Sequence, residues 1–67
     1  MEDWTKIYST DQKYKVNLLR GLLAENDIES RDISNKDSSF LIGSIDIYVQ
    51  AKDLERAGQL IEKHEEL

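Results

Sequence analysis

The order of hydrophobic and polar residues divides the chain into five segments. Residues 44–50, SIDIYVQ, carry an apolar side chain at every second position, which predicts a strand with one buried face. Residues 12–26 and 52–65 instead repeat their apolar side chains at helical spacing, which predicts two amphipathic helices. Residues 4–9, WTKIYS, are rich in strand-forming types, and residues 28–34, IESRDIS, predict a weaker strand.

The second predicted strand has an irregular apolar pattern. Ile28 and Ile33 lie five positions apart, so strict alternation places them on opposite faces. A bulge near Arg31 or Asp32 would bring both isoleucines to the core. We therefore expect this segment to be an edge strand that contains a bulge.

The first predicted helix has signals at both ends. Ser9 is followed three positions later by Gln12, which is the form of a capping box, and Asp11 is a competing N-cap. Asn26 and Asp27 suit the end of the helix, since short polar side chains tolerate the left-handed conformation found there.

The segment order βαββα predicts the topology. The first strand and helix lead to a right-handed crossover, and the next two strands form a hairpin. We expect an α+β fold, a ferredoxin-like split βαββα with two helices on one face of a three-stranded antiparallel sheet, ordered first, third, second strand. The chain, residues 1–67, is expected to be a single domain. The predicted core is Ile7, Leu19, Leu22, Leu23, Ile28, Ile45, Ile47, Val49, Leu54, Ala57 and Ile61.

The face of the sheet away from the helices is the first candidate interaction surface. Alternation places Trp4, Lys6 and Tyr8 of the first strand on it, together with Tyr48 of the third strand. Tyr8 and Tyr48 are expected to be cross-strand neighbours. An exposed aromatic patch is typical of a protein interface, so a second copy or another partner is expected there; the alternatives are a bound ligand and ordinary surface aromatics.

The hairpin connection, NKDSSFLIG, is the second candidate. Asn35, Lys36 and Ser38 belong to a polar half that suits a turn, and the alternative is a small-anion site with Lys36 and the hydroxyls as donors. Phe40 and Ile42 gain stability only if they are buried on the sheet or against a second chain. We therefore expect a homodimer that uses this loop or the free edge of the first strand.

The composition limits the classes of partner and the cellular compartment that we expect. The net charge of −5, from 14 acidic and 9 basic residues, argues against nucleic acid and anionic membranes as partners. The chain has no cysteine, which excludes disulfides and cysteine-ligated metals. No apolar run resembles a signal peptide or a membrane span, so we expect a cytoplasmic protein.

The sequence offers little catalytic chemistry. His64, the single histidine, lies near the end of the last helix, where the helix dipole favours a cation and a capping or surface role. We find no nucleophile beside a base and no carboxylate pair placed to act as acid and base. We expect no enzyme activity, no metal and no cofactor.

Several short stretches in a fixed order carry a family resemblance. They are Ile7-Tyr8, LLRGLLAENDIES, Asn35 with KDSS and Gly43, IDIYV, and Asp53, Leu54 and Ala57. Over about residues 4 to 62 the chain resembles a small bacterial family described as putative prokaryotic signal-transducing proteins, a domain of unknown function. The resemblance implies a GlnB-like ferredoxin fold, without an established ligand or catalytic residue. The family has glycine in the turn where this chain has Asp27, so we expect a strained turn.

These observations predict a small cytoplasmic regulatory or interaction module in signal transduction. It would bind a protein or a small ligand through the open sheet face or the hairpin loop. The alternative is a small-metabolite or nucleotide sensor, with its ligand between the loop and the sheet.

Overall fold

A computed structural model describes residues 3–35 and 43–65 and shows the predicted βαββα order. The elements are strand β1 (Trp4–Thr10), helix α1 (Lys13–Glu25), strand β2 (Ser30–Asn35), strand β3 (Ser44–Gln50), a single 3₁₀ turn (Ala51–Asp53) and helix α2 (Leu54–Glu65). The α+β fold class and the approximate bounds of every element are therefore confirmed.

The sheet has β3 at its centre, antiparallel to both neighbours, in the predicted order β1-β3-β2. Both helices pack on one face of the sheet, where the core lies. The buried apolar residues are Val16, Leu19, Leu23, Ile28, Ile47, Val49, Ala57 and Ile61. Three predicted core residues, Ile7, Leu22 and Ile45, are only half-buried.

A bulge at Ile7 divides β1 into two registers. Lys6 lies opposite Tyr48, whereas Tyr8 lies opposite Ile47, so Ile7 is the extra residue. Ile47 is fully buried beneath the helices, and its cross-strand neighbour Tyr8 therefore faces the helices as well. The prediction that Tyr8 shares the open face with Tyr48 is wrong, because alternation along β1 is interrupted between Lys6 and Tyr8.

The bulge predicted near Arg31 or Asp32 is absent, since β2 pairs with β3 without a register shift. Ile28 is buried but precedes β2, in the turn that follows α1. Ile33 lies opposite Asp46 and is 36% exposed on the open face. The two isoleucines need not share a face, because only Ile33 belongs to the strand.

The turn after α1 is a Schellman motif with a residue other than glycine in the left-handed position. Asp27 has φ of 60°, which confirms the expected strain. The Asp27 amide donates to the carbonyl of Ala24 at 3.1 Å, and the Ile28 amide donates to that of Leu23 at 2.9 Å. Ile28 and Leu23 are both buried in the core cluster, so this turn directs the chain from α1 into the sheet.

The start of α1 differs from the predicted capping box. Gln12 occupies the N-cap without a side-chain cap bond, and its amide donates to the hydroxyl of Thr10 at 3.1 Å. The Ser9 hydroxyl instead donates to Asp46 Oδ1 at 2.8 Å, across to β3. The Ser9 side chain thus bonds within the sheet and does not cap α1, because β1 extends to Thr10.

The buried stripe of α2 contains Ala57 and Ile61 as predicted, but its first member differs from the prediction. Leu54 is 39% exposed, whereas Asp53 is 7% exposed and Ala57 and Ile61 are buried. The Asp53 carboxylate is satisfied by Arg56, whose Nη2 donates to Oδ1 at 2.8 Å. Placing Leu54 in the core is therefore wrong, since the stripe begins with a paired carboxylate at the positive end of the helix dipole.

The Arg20 side chain connects α1 to β2 through hydrogen bonds. Its guanidinium donates to Asp32 Oδ1 at 2.6 Å, to Ser30 Oγ at 3.2 Å and to the Ser30 carbonyl at 3.2 Å. These contacts hold the helix over the edge strand and leave the opposite face of the sheet clear. Neither helix in the described ranges has the length and apolar character to cross a bilayer.

Candidate functional site

The first candidate site is the face of the sheet away from the helices, which we call the open face. Among the described residues, the strand registers place on it the side chains of Trp4, Lys6, Ser9, Arg31, Ile33, Asp46, Tyr48 and Gln50. All three strands contribute, because β3 lies between β1 and β2. Within residues 3–35 and 43–65, no helix packs on this face.

An arginine and a tryptophan are in contact on the open face. The Arg31 guanidinium carbon lies 4.6 Å from the centroid of the Trp4 ring. Arg31 is opposite Tyr48 in the register, and Trp4 is opposite Gln50, so the arginine reaches diagonally across β3. A cation–π contact at an exposed site contributes about 0.5–1 kcal/mol, which holds both side chains in a defined arrangement.

The exposed charges described on the open face are positive. Lys6 and Arg31 are both exposed, and Lys6 lies directly opposite Tyr48. Asp46, by contrast, is only 5% exposed and accepts the hydrogen bond from Ser9. A chain with net charge −5 therefore presents a basic and aromatic surface on one side.

The second candidate site lies on the helix side of the sheet, between β1, the first half of α1 and the end of α2. It is an open cleft of about 520 Å³, within the size range of small-molecule sites. We call it the Tyr8 cleft. Its lining residues are Tyr8, Tyr14, Lys15, Leu18, Leu19, His64 and Glu65.

Tyr8 is the polar centre of this cleft. Its phenol pKa is raised above the ordinary value of 10.0, first because the hydroxyl hydrogen-bonds to Glu65, then because of burial and the negative charge of Glu65. Tyr14 adds a smaller electrostatic contribution in the same direction. The phenol of Tyr8 is thus protonated at neutral pH and engages the Glu65 carboxylate.

The predicted loop site is described only at its base. Asn35 pairs with Ser44 at the end of the β2–β3 ladder. Lys36, Ser38, Phe40 and Ile42 lie outside the described residues, and their predicted roles stay predictions.

His64 lies at the rim of the Tyr8 cleft and is half-buried. Within the described part of the chain, no group of three or more histidine, cysteine, aspartate or glutamate side chains is placed to hold a metal ion.

The sequence patterns missed several residues of both sites. The sequence pattern predicts a bulge near Arg31 or Asp32, whereas the regular pairing of β2 places Arg31 opposite Tyr48. By periodicity, Leu18 widens the apolar stripe of the first helix, and Tyr14 and Lys15 lie outside that stripe. Only the register shift in β1, which brings Tyr8 beside them, makes them part of a site.

Comparison with protein families agrees with the resemblance found in the sequence. The profile of the family described as "Putative prokaryotic signal transducing protein" matches residues 4–65, from the start of β1 to the end of α2. The chain belongs to this family. Comparison with the curated proteins finds no match, and comparison with the solved structures finds none either.

The open face and the Tyr8 cleft are defined by the geometry of this chain and not by the family description. The match spans every described element of the fold, so both candidate sites lie inside the family domain. The family description points to signal transduction as the broad role, and it names no ligand or partner.

Proposed function

We propose that this protein is a regulatory interaction module that binds an acidic segment of another protein through its open face. The observation that carries the proposal is the Arg31 guanidinium over the Trp4 ring, 4.6 Å from its centroid. Among the described residues, the other exposed charge on this sheet face is Lys6. Arginine and aromatic side chains are the types that dominate binding energy at protein interfaces. The family description supports a role in signalling.

The charge of the open face favours an acidic protein partner over a second copy. A face-to-face dimer would place Lys6 and Arg31 of both copies in one interface, where like charges that lie close together cost several kcal/mol. Nucleic acid would meet Lys6 and Arg31 as well, but the net charge of −5 opposes its approach. A short acidic protein segment can stay close to Lys6 and Arg31, and screening by salt weakens its repulsion by the more distant acidic residues.

We also propose the cytoplasm as the site of action, as expected from the sequence. An extended acidic segment is the simplest occupant, because the face is flat and formed by three strands.

Site-specific photo-crosslinking in the host bacterium tests the proposal. A photoreactive phenylalanine analogue replaces Tyr48 at the centre of the open face, and the same analogue replaces Gln59 on the exposed side of α2 as the control. We expect the analogue at position 48 to crosslink to a protein, and the crosslinked peptide to be rich in Asp and Glu. The analogue at position 59 should not crosslink to that protein. Capture of nucleic acid or of a second copy at position 48 would contradict the proposal.

The purified partner then allows a charge test with matched variants. Lys6→Glu with Arg31→Glu should weaken binding at least tenfold, and rising salt should weaken wild-type binding because the cations are exposed. Lys52→Glu with Lys63→Glu makes the same change of net charge away from the open face and should bind like the wild type. An equal loss of binding affinity in both double variants would show that net charge, and not the open face, determines binding.

A further inference from the structure

The Tyr8 cleft lies on the other side of the sheet from the open face, and the proposed protein interaction does not use it. Tyr8 enters this cleft only because of the bulge at Ile7. Bulges in strands often re-aim a side chain toward a binding site. The cleft therefore combines a suitable size with a local backbone feature that directs a polar group into it.

Apolar exposure is concentrated at the Tyr8 cleft. Among the described residues, only four large hydrophobic side chains are exposed, and the two most exposed, Tyr14 at 65% and Leu18 at 52%, both line it. Tyr14 and Leu18 are one helical turn apart on α1, so they form one apolar wall. Leu19, which is 2% exposed, provides the floor.

Lys15 provides the charge that a ligand would meet. Its side chain is half-buried and lines the cleft, yet it makes no ion pair or hydrogen bond with any residue in 3–35 or 43–65. The carboxylate of Glu65 in the same cleft already accepts the hydroxyl of Tyr8. An ammonium group in a cleft with an apolar wall gains most from an anion that also has an apolar body.

We propose that the Tyr8 cleft binds a small aromatic monocarboxylate, with the carboxylate paired to Lys15 and the ring against Tyr14 and Leu18. His64, at the rim, is a second hydrogen-bond donor for the carboxylate. A single lysine matches one negative charge, whereas a nucleotide triphosphate would need several cations. Two tyrosine rings in one cleft favour an aromatic body over an aliphatic one, because aromatic pairs add to the burial energy.

Amide NMR spectra of the labelled full chain test this site with 3-phenylpropionate as the probe. Its neutral amide, 3-phenylpropanamide, has the same ring and chain and serves as the matched control compound. We expect the acid to shift the amide signals of Tyr8, Lys15 and Leu18 and to leave those of Lys6 and Tyr48 unchanged. The amide should bind at least tenfold more weakly, as expected for loss of one charged hydrogen bond.

Two variants separate the lysine from general charge effects. Lys15→Met keeps the length of the side chain and its helix propensity but removes the ammonium, and it should weaken binding of the acid about tenfold. Lys52→Met removes an equal charge from the 3₁₀ turn, outside the cleft, and should bind like the wild type.

Three results would overturn the proposal. They are equal binding of the acid and the amide to the wild type, equal binding of the acid to Lys15→Met and Lys52→Met, or shifts that are absent from the cleft at millimolar acid. The comparison of acid with amide needs no substitution, so it holds even if a variant fails to fold. None of these results bears on the open face, whose test uses a protein partner.

Discussion

At the residue scale, one backbone conformation sets the end of α1. Asp27 has φ of 60°, a region that costs an L-residue other than glycine roughly 1–2 kcal/mol, with aspartate among the better tolerated. The hydrogen bonds of the Schellman motif use backbone atoms only, so the Asp27 side chain is not needed for them. The turn therefore retains strain that a glycine would relieve.

We predict that Asp27→Gly stabilises the protein by about 0.5–1 kcal/mol, since the relief of strain exceeds the entropy that glycine adds to the unfolded chain. Urea unfolding measures the change. Asn26→Gly is the control at the adjacent residue, where φ is −105° and the side-chain amide donates to the Leu22 carbonyl at 2.9 Å. That variant should lose stability; a gain in both would show that φ at Asp27 is not the cause.

A second residue-scale prediction concerns the titration of Tyr8. Its folded-state pKa is raised above 10.0, so its contribution to stability is fully present below pH about 10 and is lost as the pH rises through the folded pKa. Glu65→Gln removes the carboxylate that is the main cause and should lower the Tyr8 pKa toward 10. NMR titration of ¹³C-labelled tyrosine rings measures this, with Tyr8→Phe to assign the signal.

Glu62→Gln is the matched control for this titration. It removes an exposed carboxylate from the same helix that makes no contribution to the Tyr8 pKa. If Glu62→Gln and Glu65→Gln lower the pKa equally, the general negative charge of α2 is the cause, and the contact in the cleft is not.

At the scale of elements, the sequence predicted the strands and helices well but not the face of every residue. Regular alternation in β3 located its buried apolar residues, Ile47 and Val49, correctly, because β3 pairs with a strand at each edge and has no register shift along β2. In β1, Ile7 and Tyr8 are both strand-forming residues that can pack on a core, so nothing in the sequence marks the extra residue. The faces of Tyr8 and Arg31 depend on pairing between distant strands, which a local pattern does not contain.

The residue at which the buried stripe of α2 begins gives a prediction at the scale of elements. Leu23→Ala in α1 removes a side chain that is fully buried and should cost about 2–5 kcal/mol. Leu54→Ala makes the identical change at a residue that is 39% exposed and should cost less than about 1 kcal/mol. Thermal unfolding of both variants checks the assignment. Similar losses would mean that the buried stripe of α2 begins at Leu54, as the sequence pattern alone predicts.

At the scale of the whole molecule, a free edge of the sheet is a place where a second chain could pair. The outer edge of β1 has no strand partner among the described residues. The same strand carries a bulge at Ile7 and an exposed Lys6, two features that protect edges from pairing. The structure therefore makes the β1 edge a poor route to the homodimer expected from the sequence.

The expected homodimer then depends on the apolar half of the hairpin connection. We predict that wild-type protein dimerises at high micromolar concentration, and that the double variant Phe40→Ser, Ile42→Ser is monomeric because it loses apolar area to bury. Lys6→Glu, on the edge strand, should dimerise like the wild type. Sedimentation equilibrium measures all three. A monomeric wild type would exclude the dimer, and a dimeric double variant would exclude the loop as its interface.

The central claim is that the bulge at Ile7 gives the two faces of the sheet different chemistry, with Tyr8 beneath the helices and Tyr48 on the open face. Nuclear Overhauser effects (NOEs) from the Tyr8 ring test this claim directly in the unbound protein. We predict contacts from the Tyr8 ring to the Leu19 methyl groups and the Tyr14 ring, and none to the Tyr48 ring. Strong contacts between the rings of Tyr8 and Tyr48, without contacts to Leu19, would contradict it.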